Sequence, residues 1–376
     1  MYLWQSPGWP GLTWDAHALT ASLAQARVAQ GRMLGLAASL GMLDLAQLQL
    51  SGWAQEAVAT AQIEGEVLQL NSVRASAARR LGLAHASATA RDARSEATLD
   101  VLQSALAQWD RPLAVDDLLA WHAALFPTGR SGLTRITPGA WRTHTEPMQI
   151  VTPRIGKPDV VHYQAPPSVD VAAHMRTLLQ WFNVVSKGQG IDGLVRAALT
   201  HLWFETVHPF EDGNGRIGRA LAELALAQDM HSNQRIFSLS AQLAQDRSGY
   251  YAQLQAATGQ ANLDVTPWVQ WFTGRIRAAF DAATGQMQTP LARTRYWSHV
   301  NGLHPGLSAS QRKTLARLLE AQPAGFAGGM STEKYVNLTG ASRATAYREL
   351  TELTEYGLLA RTGQGRGTRY ALVMPT

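Results

Sequence analysis

One run of twelve residues, HPFEDGNGRIGR from His208 to Arg219, constrains the fold of this chain more than any other stretch. Apolar residues recur at helical spacing both before and after the run, which predicts a helix, a tight loop and a second helix. Gly213 and Gly215 lack a Cβ, so the loop can turn sharply and approach a ligand closely. The first amide groups of the second helix have no partner within it and favour an anion. The run therefore predicts a helical domain with an anion-binding loop.

The polar residues of the run suit a polyphosphate. Arg216 and Arg219 are three apart on one helix face and offer two forked cations to phosphate oxygens. Asp212 is a hard oxygen ligand suited to magnesium, and the side-chain amide of Asn214 can donate to a phosphate oxygen. His208 titrates near neutral pH and can take a proton from an incoming hydroxyl. Each residue alone is more often structural, but together they indicate a phosphate site.

Two common phosphate motifs do not fit the sequence. A phosphate-loop ATPase requires GxxxxGK followed by Ser or Thr, and no such run occurs. The glycines of the run spell GxGxxG, but they follow a predicted helix rather than a strand, so dinucleotide binding is not expected.

The run resembles the signature HxFx(D/E)GNGRxxR of the Fic (filamentation induced by cAMP) family at every fixed position. This resemblance implies a mainly helical Fic fold with one β-hairpin flap, and transfer of AMP from ATP to a protein hydroxyl. It also implies His208 as general base, Asp212 as Mg²⁺ ligand, Gly213 to Gly215 as anion cradle, and Arg216 and Arg219 as phosphate contacts.

A second motif lies upstream, where Thr60 and Glu64 share one face of a predicted helix and Gly65 follows. These residues match (S/T)xxxE(G/N), the inhibitory-helix motif of Fic proteins. The resemblance implies that Glu64 pairs with Arg219 and blocks the productive position of the ATP γ-phosphate. A carboxylate in an arginine fork competes with phosphate for the same donors. An ordinary surface glutamate is the alternative.

Residues 139–167 lose the helical period and contain two β-prone pieces around the turn-rich PRIGKPD, which predicts the one β-hairpin of the catalytic region. In Fic proteins a hairpin at this place, the flap, binds the target segment by strand addition. The flap residues expected to contact nucleotide or target are Val161, His162, Tyr163 and Gln164. The resemblance also places Tyr251 near the adenine or ribose. A hairpin that only covers the core is the alternative.

Residues 305–376 contain nine basic and five acidic residues, so this region carries most of the net charge of +5. Its pattern resembles a winged helix-turn-helix, with three helices followed by a hairpin wing. The residues expected to contact DNA are Arg343, Arg348, Arg366 and Arg369. Dimerisation or protein docking by the same module is the alternative.

These patterns predict four regions in the 376 residues. They are an N-terminal helical region (1–112) with its inhibitory helix at about 53–65, a Fic catalytic domain (113–284), a linker (285–304) and a winged helix-turn-helix domain (305–376). The expected fold class is mainly α, with a small α+β winged-helix domain. With no cysteine, no signal-peptide pattern and no apolar run of membrane-spanning length, we expect a cytoplasmic protein without membrane contact.

The function predicted from the sequence is a protein adenylyltransferase that is autoinhibited by Glu64 and uses ATP and Mg²⁺. Its partner would be a target protein with a surface Ser, Thr or Tyr hydroxyl, and a homodimer is left open. One alternative is a DNA-binding regulator in which the Fic domain senses nucleotide. Another is a Fic enzyme that transfers a different phosphate-bearing group.

Overall fold

The computed structural model describes residues 1–83, 92–152, 160–322 and 324–374. It divides into two compact units, which are described separately. Unit 1 comprises Met1–Ala38 and Met42–Met287, and unit 2 comprises Ser39–Gly41 and Gln288–Thr376. The expected N-terminal region and catalytic domain therefore fall within one compact unit.

Helices dominate unit 1, as the sequence predicts. Its α-helices are α1 (Ala16–Ala38), α2 (Met42–Ile63), α3 (Leu70–Arg80), α4 (Ala93–Ala107), α5 (Val115–Leu125), α6 (Ser168–Gln180), α7 (Ser186–Gly188), α8 (Gly193–Val207), α9 (Asn214–Asp229), α10 (Leu239–Gln245), α11 (Arg247–Thr258) and the first part of α12 (Thr266–Leu303). A 3₁₀ turn (Leu3–Gln5) precedes α1, and a π-helical turn (Trp181–Val185) separates α6 from α7.

The helices α8 and α9 form the centre of unit 1 and flank the predicted loop. Nearly every residue of both helices is buried, because other helices surround them. Asp192 caps α8 by accepting hydrogen bonds from the amides of Leu194 and Val195. Gly213, at φ +81°, provides the left-handed residue from which α9 starts. The loop between them is thus fixed by a buried helix at each end.

The flap is present as an antiparallel hairpin of β3 (Gln149–Thr152) and β4 (Val160–Gln164). The PRIGKPD turn lies outside the described residues. This hairpin is not the single one expected for the catalytic region, because β1 (Arg130–Ser131) and β2 (Thr134–Arg135) form a second, two-residue pair. Gly132, at φ +55°, allows that tighter turn, which is too short to produce a strand pattern in the sequence.

Two other predictions about elements were wrong. The segment 238–260 is two helices rather than one, because Asp246 ends α10 and its side chain caps α11 at the amide of Gly249. The expected linker at 285–304 is instead part of α12, which continues to Leu303 despite Pro290. Buried Tyr296 and Val300 belong to the core of unit 2, so tertiary packing stabilises a helix that the local composition does not indicate.

Unit 2 has the predicted order of three helices and a hairpin. The helices are α13 (Ala309–Glu320), α14 (Thr332–Thr339) and α15 (Arg343–Glu355), and the hairpin joins β5 (Leu359–Thr362) to β6 (Arg369–Leu372). Ser342 caps α15 by accepting from the amide of Thr345.

None of the helices in the described part of the chain has the length and apolarity needed to span a bilayer.

Candidate active site

The loop between α8 and α9 is held closed by one side chain. Asn214 lies at the start of α9, is 2% exposed, and bonds both main-chain groups of Phe210. Its Oδ1 accepts from the Phe210 amide and its Nδ2 donates to the Phe210 carbonyl, each at 2.9 Å. We expected this amide to donate to phosphate, but it is committed to closing the loop. The polar side chain of a tight loop satisfies main-chain groups that the turn leaves unpaired.

His208 follows the last residue of α8 in a left-handed conformation, with φ +49° and ψ +61°. Its side chain is 14% exposed, so the imidazole still reaches the surface. Burial first, and then the charge of Arg142, lowers the pKa of His208 to about 4. The imidazole is therefore neutral at pH 7 and able to accept a proton.

A carboxyl group that the sequence analysis missed lies beside this imidazole. Glu205 Oε2 is 3.7 Å from His208 Nδ1, one turn earlier on α8. Burial raises the pKa of Glu205 to about 8, so this side chain is largely protonated at neutral pH. The neighbour of His208 is thus a neutral acid rather than a carboxylate, which leaves the imidazole uncharged. The sequence contains no signal for this, because a single glutamate in an apolar helical pattern does not reveal that it lies beside His208.

The second arginine of the run is fully engaged by the end of α2. Arg219 is 1% exposed, and its Nη2 lies 2.7 Å from Glu64 Oε1. Its Nε donates to Thr60 Oγ1 at 2.8 Å, and Nη2 also donates to the Thr60 carbonyl at 3.2 Å. Burial opposes the charged form, but Glu64 raises the pKa of Arg219 above its ordinary value. The residues of the upstream motif therefore occupy the arginine fork.

Glu64 also fills the space above the anion cradle. A Cβ placed on Gly215 would collide with Glu64 Oε1, so the carboxylate rests directly against the glycine backbone. Gly65, at φ +79°, turns the chain immediately after α2. The carboxylate thus lies where the sequence predicts a phosphate group.

The first arginine is paired as well, and the sequence analysis did not predict this. Arg216 Nη1 is 3.1 Å from Glu66 Oε1, while its guanidinium lies over the Phe126 ring at 5.0 Å. Its side chain is only 8% exposed. Glu66 lies two residues beyond Glu64 in the sequence, and this second carboxylate was the signal from which the pair could have been predicted. Both arginines of the run therefore contact glutamates from one segment.

Asp212 is the only residue of the loop proposed as a metal ligand. Its side chain is 40% exposed, accepts a hydrogen bond from Ser131 Oγ, and lies 3.8 Å from Arg216 Nη2. No group of three or more His, Cys, Asp or Glu in the described residues could hold a metal ion by itself. Magnesium is commonly bound by one or two carboxylates together with substrate phosphates, and an exposed carboxylate beside a phosphate cradle fits that mode. The neighbouring Glu211 accepts a hydrogen bond from the amide of Thr137.

Two cavities border this loop. One, of about 290 Å³, is lined by Asp212, Glu211 and Ser131 among others. The other, of about 500 Å³, is lined by Arg216, Glu66 and the surroundings of Phe126. Space for a ligand therefore exists beside Asp212 and beside Arg216.

The flap residues differ in what they can contact. Val161 is 41% exposed and so is available to a ligand or target. Tyr163 is not, because it is 4% exposed and its hydroxyl donates to the Thr206 carbonyl. His162 Nδ1 is 3.4 Å from Gln255 Nε2, and the Gln164 side chain accepts from Gln149. The Tyr163 side chain is thus not available to a ligand, since its ring packs into unit 1, and a contact through its main chain stays a prediction.

Tyr251 lies at the same site as Glu64. It is 41% exposed, and its hydroxyl donates to the carbonyl of Ile63, the last residue of α2. Arg247 lies over its ring at 5.6 Å. An exposed aromatic ring beside the cradle is able to stack on a nucleotide base.

Unit 2 presents two of the expected basic residues at its surface. Arg343 and Arg348 are exposed on α15, and a groove of about 550 Å³ is lined by Arg343, Tyr347 and Arg361. Arg369 Nη1 donates to the neighbouring Thr368 carbonyl. The side chain of Arg366 lies outside the described residues.

The helical fold and the loop with its two arginines can be compared with known protein families. Two regions of the chain match family models. Residues 112–226 match the model of the Fic/DOC family, and residues 2–83 match that of a domain of unknown function, DUF4172. The chain therefore carries a Fic/DOC family domain.

Among curated relatives, the protein adenylyltransferase fic-1 of Caenorhabditis briggsae is 30% identical over 149 residues, which are 39% of this chain and 26% of that protein. Its counterpart from Caenorhabditis elegans is 33% identical over 120 residues, which are 32% of this chain and 22% of that protein. The matched part thus spans about a quarter of each relative.

Solved structures show the same fold. A Fic family protein from Desulfovibrio desulfuricans G20 has a TM-score of 0.60 at 22% identity, covering 98% of this chain and 99% of its own. A Fic-1 fragment from C. elegans has a TM-score of 0.51 at 22% identity, covering 72% of this chain and 74% of its own. The predicted Fic fold is therefore confirmed.

Proposed function

We propose that this chain is a protein adenylyltransferase, which transfers AMP from ATP to a Ser, Thr or Tyr hydroxyl of a target protein. The single observation that carries the proposal is the cluster at the loop, in which a neutral His208, an exposed Asp212 and two arginines surround an anion cradle. The names of the Caenorhabditis relatives support the same reaction.

In the proposed reaction the target hydroxyl oxygen attacks the α-phosphorus of ATP and its proton passes to His208. The bond between the α-phosphorus and the oxygen that bridges it to the β-phosphate breaks, and pyrophosphate leaves. Amides at the start of α9 and the guanidinium groups of Arg216 and Arg219 stabilise charge on the phosphates. Asp212 would hold Mg²⁺, which neutralises charge on the phosphate oxygens when bound.

We also propose that the chain is autoinhibited. The guanidinium of Arg219 donates from Nε to Thr60 and from Nη2 to Glu64. The Glu64 carboxylate also lies against Gly215. A γ-phosphate cannot bind the same fork until Glu64 leaves. The Glu66 pair with Arg216 adds a weaker restraint, because it is longer, at 3.1 Å against 2.7 Å, and because Arg216 is more exposed than Arg219.

The direct test is incubation with Mg²⁺ and ATP labelled at the α-phosphate. We expect weak self-modification by the parent protein, stronger modification by Glu64→Gly, and none by His208→Ala. Intact mass spectrometry of Glu64→Gly should show the mass of one added AMP. A different added mass would favour the alternative of another phosphate-bearing group, and no adduct with added candidate targets would refute transferase activity.

A second candidate function, DNA binding by unit 2, is favoured by the groove lined by Arg343, Tyr347 and Arg361. We expect salt-dependent binding of duplex DNA, because phosphate contacts release counterions. The double variant Arg343→Ala with Arg348→Ala should lose this binding, and His208→Ala should retain it. If unit 2 does not bind duplex DNA at low salt, the DNA-binding proposal is refuted and dimerisation or protein docking is favoured.

A further inference from the structure

Arg142 is a buried cation that joins the end of α8 to the chain leaving the flap. It is 2% exposed, although its sequence neighbours give no reason for a buried charge. Its Nε donates to the His208 carbonyl at 2.8 Å and its Nη2 to the Val207 carbonyl at 3.2 Å. Nη2 also donates to the Pro166 carbonyl at 2.6 Å, and Nη1 to Ser168 Oγ at 2.9 Å.

These bonds satisfy groups that α8 would otherwise leave unpaired. The last carbonyls of a helix have no partner within it, and a cation at that end also interacts favourably with the helix dipole. The main chain adds to this, because the Arg142 amide donates to the Pro209 carbonyl at 3.0 Å. Arg142 therefore holds the main chain on both sides of the His208 Cα.

The conformation of His208 needs such support. A residue with a Cβ is unfavourable at positive φ by roughly 1–2 kcal/mol, and it persists there only when its surroundings fix it. At His208 the surroundings are Arg142, which donates to the carbonyls of Val207, His208 and Pro209, and the hydrogen bond that the His208 amide donates to the Phe204 carbonyl. The direction of the imidazole follows from this main-chain conformation.

We propose that Arg142 is a positioning residue for AMP transfer: it fixes the orientation of the His208 imidazole and ties that orientation to the flap through Pro166 and Ser168. This inference deepens the proposed adenylyltransferase function and rests on it. Arg142 does not touch the reacting atoms, so its effect passes through His208.

The charge of Arg142 gives the inference a second, measurable consequence. Within the described residues Arg142 bonds only neutral groups, and its pKa, lowered by burial to about 10, still leaves it charged at pH 7. It therefore opposes protonation of His208, whereas the Glu205 carbonyl, Glu64 and Asp212 favour it. Tyr163, which faces Arg142 from β4, is neutral because burial raises its pKa.

Two variants separate orientation from charge. Arg142→Lys keeps the charge but loses the planar fork, and Arg142→Gln keeps a donor but loses the charge. In the Glu64→Gly background we expect kcat to fall about 10- to 100-fold in both, since misplacement of a catalytic group by about 1 Å costs up to 100-fold. KM for ATP should change less than about threefold, because the phosphate contacts are untouched.

The readout independent of activity is the pKa of His208, measured by NMR of histidine-labelled protein without ATP. We expect Arg142→Gln to raise that pKa and Arg142→Lys to leave it near the parent value. Arg196→Lys is the matched control, because Arg196 is also buried and bonds neutral groups, but lies in the first turn of α8, away from the loop. It should leave both kcat and the His208 pKa near the parent values.

If the Arg142 variants do not fold, Ser168→Ala removes a single partner of the guanidinium and should lower kcat by about 3- to 10-fold, the effect of a net hydrogen bond of roughly 0.5–1.5 kcal/mol. Folded variants of Arg142 with parental kcat, or an unchanged His208 pKa in Arg142→Gln, would overturn the inference. Failure of Glu64→Gly to transfer AMP would instead refute the proposed function, while the NMR result would still decide whether Arg142 governs His208.

Discussion

Replacing Glu64 by glycine removes the carboxylate that we propose competes with phosphate for Arg219. The pair is 2.7 Å long, with Arg219 1% and Glu64 27% exposed, so it is a partly buried, charge-assisted hydrogen bond. Hydrogen bonds to charged groups contribute about 1.5–3 kcal/mol. If ATP must displace this bond, its removal should raise AMP transfer at subsaturating ATP by about 10- to 150-fold, at about tenfold for each 1.4 kcal/mol.

The assay is the initial rate of AMP incorporation at several ATP concentrations below saturation. Thermal unfolding should show that Glu64→Gly is folded, since Glu64 lies beyond the last residue of α2 and the change places no glycine within the helix. Glu355→Gly, at the exposed end of α15, is a control for loss of one negative charge. Glu66→Gln should give an increase of less than about fivefold, because the Glu66–Arg216 pair is longer and less buried than the Glu64–Arg219 pair and should contribute about 1 kcal/mol or less. An unchanged rate in Glu64→Gly would refute the competition that we infer at Arg219.

Three further outcomes follow from the site. Because burial lowers the pKa of His208 to about 4, the base form persists on acidification, and the kcat of Glu64→Gly should decline only as pH falls toward 4. A pH–rate profile with its acid limb near 6.5 would contradict this. Asp212→Asn should lower the Mg²⁺-dependent rate by about 100-fold, as loss of one charge-stabilising group does, and EDTA should stop the parent reaction in the labelled-ATP assay. Asn214→Ala unpairs the buried main-chain groups of Phe210 and should lower the free energy of unfolding in urea by about 1–3 kcal/mol, whereas a loss of activity with unchanged stability would mean that Asn214 contacts the substrate.

The sequence predicted most where the same short run of residues determines both the local fold and the candidate site. The glycines, the charged residues and the flanking helical periods of His208 to Arg219 predict the helix, loop and helix that the structure shows. The upstream Glu64 could be paired with Arg219 only through a resemblance, because 155 positions separate them. Helical periodicity places a side chain on a face but does not say which element that face meets.

The remaining contacts depend on tertiary structure. Arg142 lies 66 positions before His208, and nothing near it in the chain reveals that its donors end on carbonyls of α8. Tyr163 was expected at the ligand because the resemblance places the flap there, but strand alternation leaves the face of each side chain open until the flap is packed. Residues 285–304 contain glycine and proline, yet buried Tyr296 and Val300 stabilise them as a helix. In each case packing partners distant in sequence decided the outcome.

The attachment of Glu64 to the end of α2 has a consequence for the proposed inhibition. Glu64 directly follows the last residue of α2, so it is tethered to its own binding position, and its effective concentration there does not depend on how much protein is present. Under the proposed autoinhibition, dilution does not release Glu64, because the carboxylate and its binding position belong to the same chain. Relief requires either enough ATP to outcompete a permanently local carboxylate or an event that moves the end of α2, so the rate of AMP transfer should report on whatever binds that helix end.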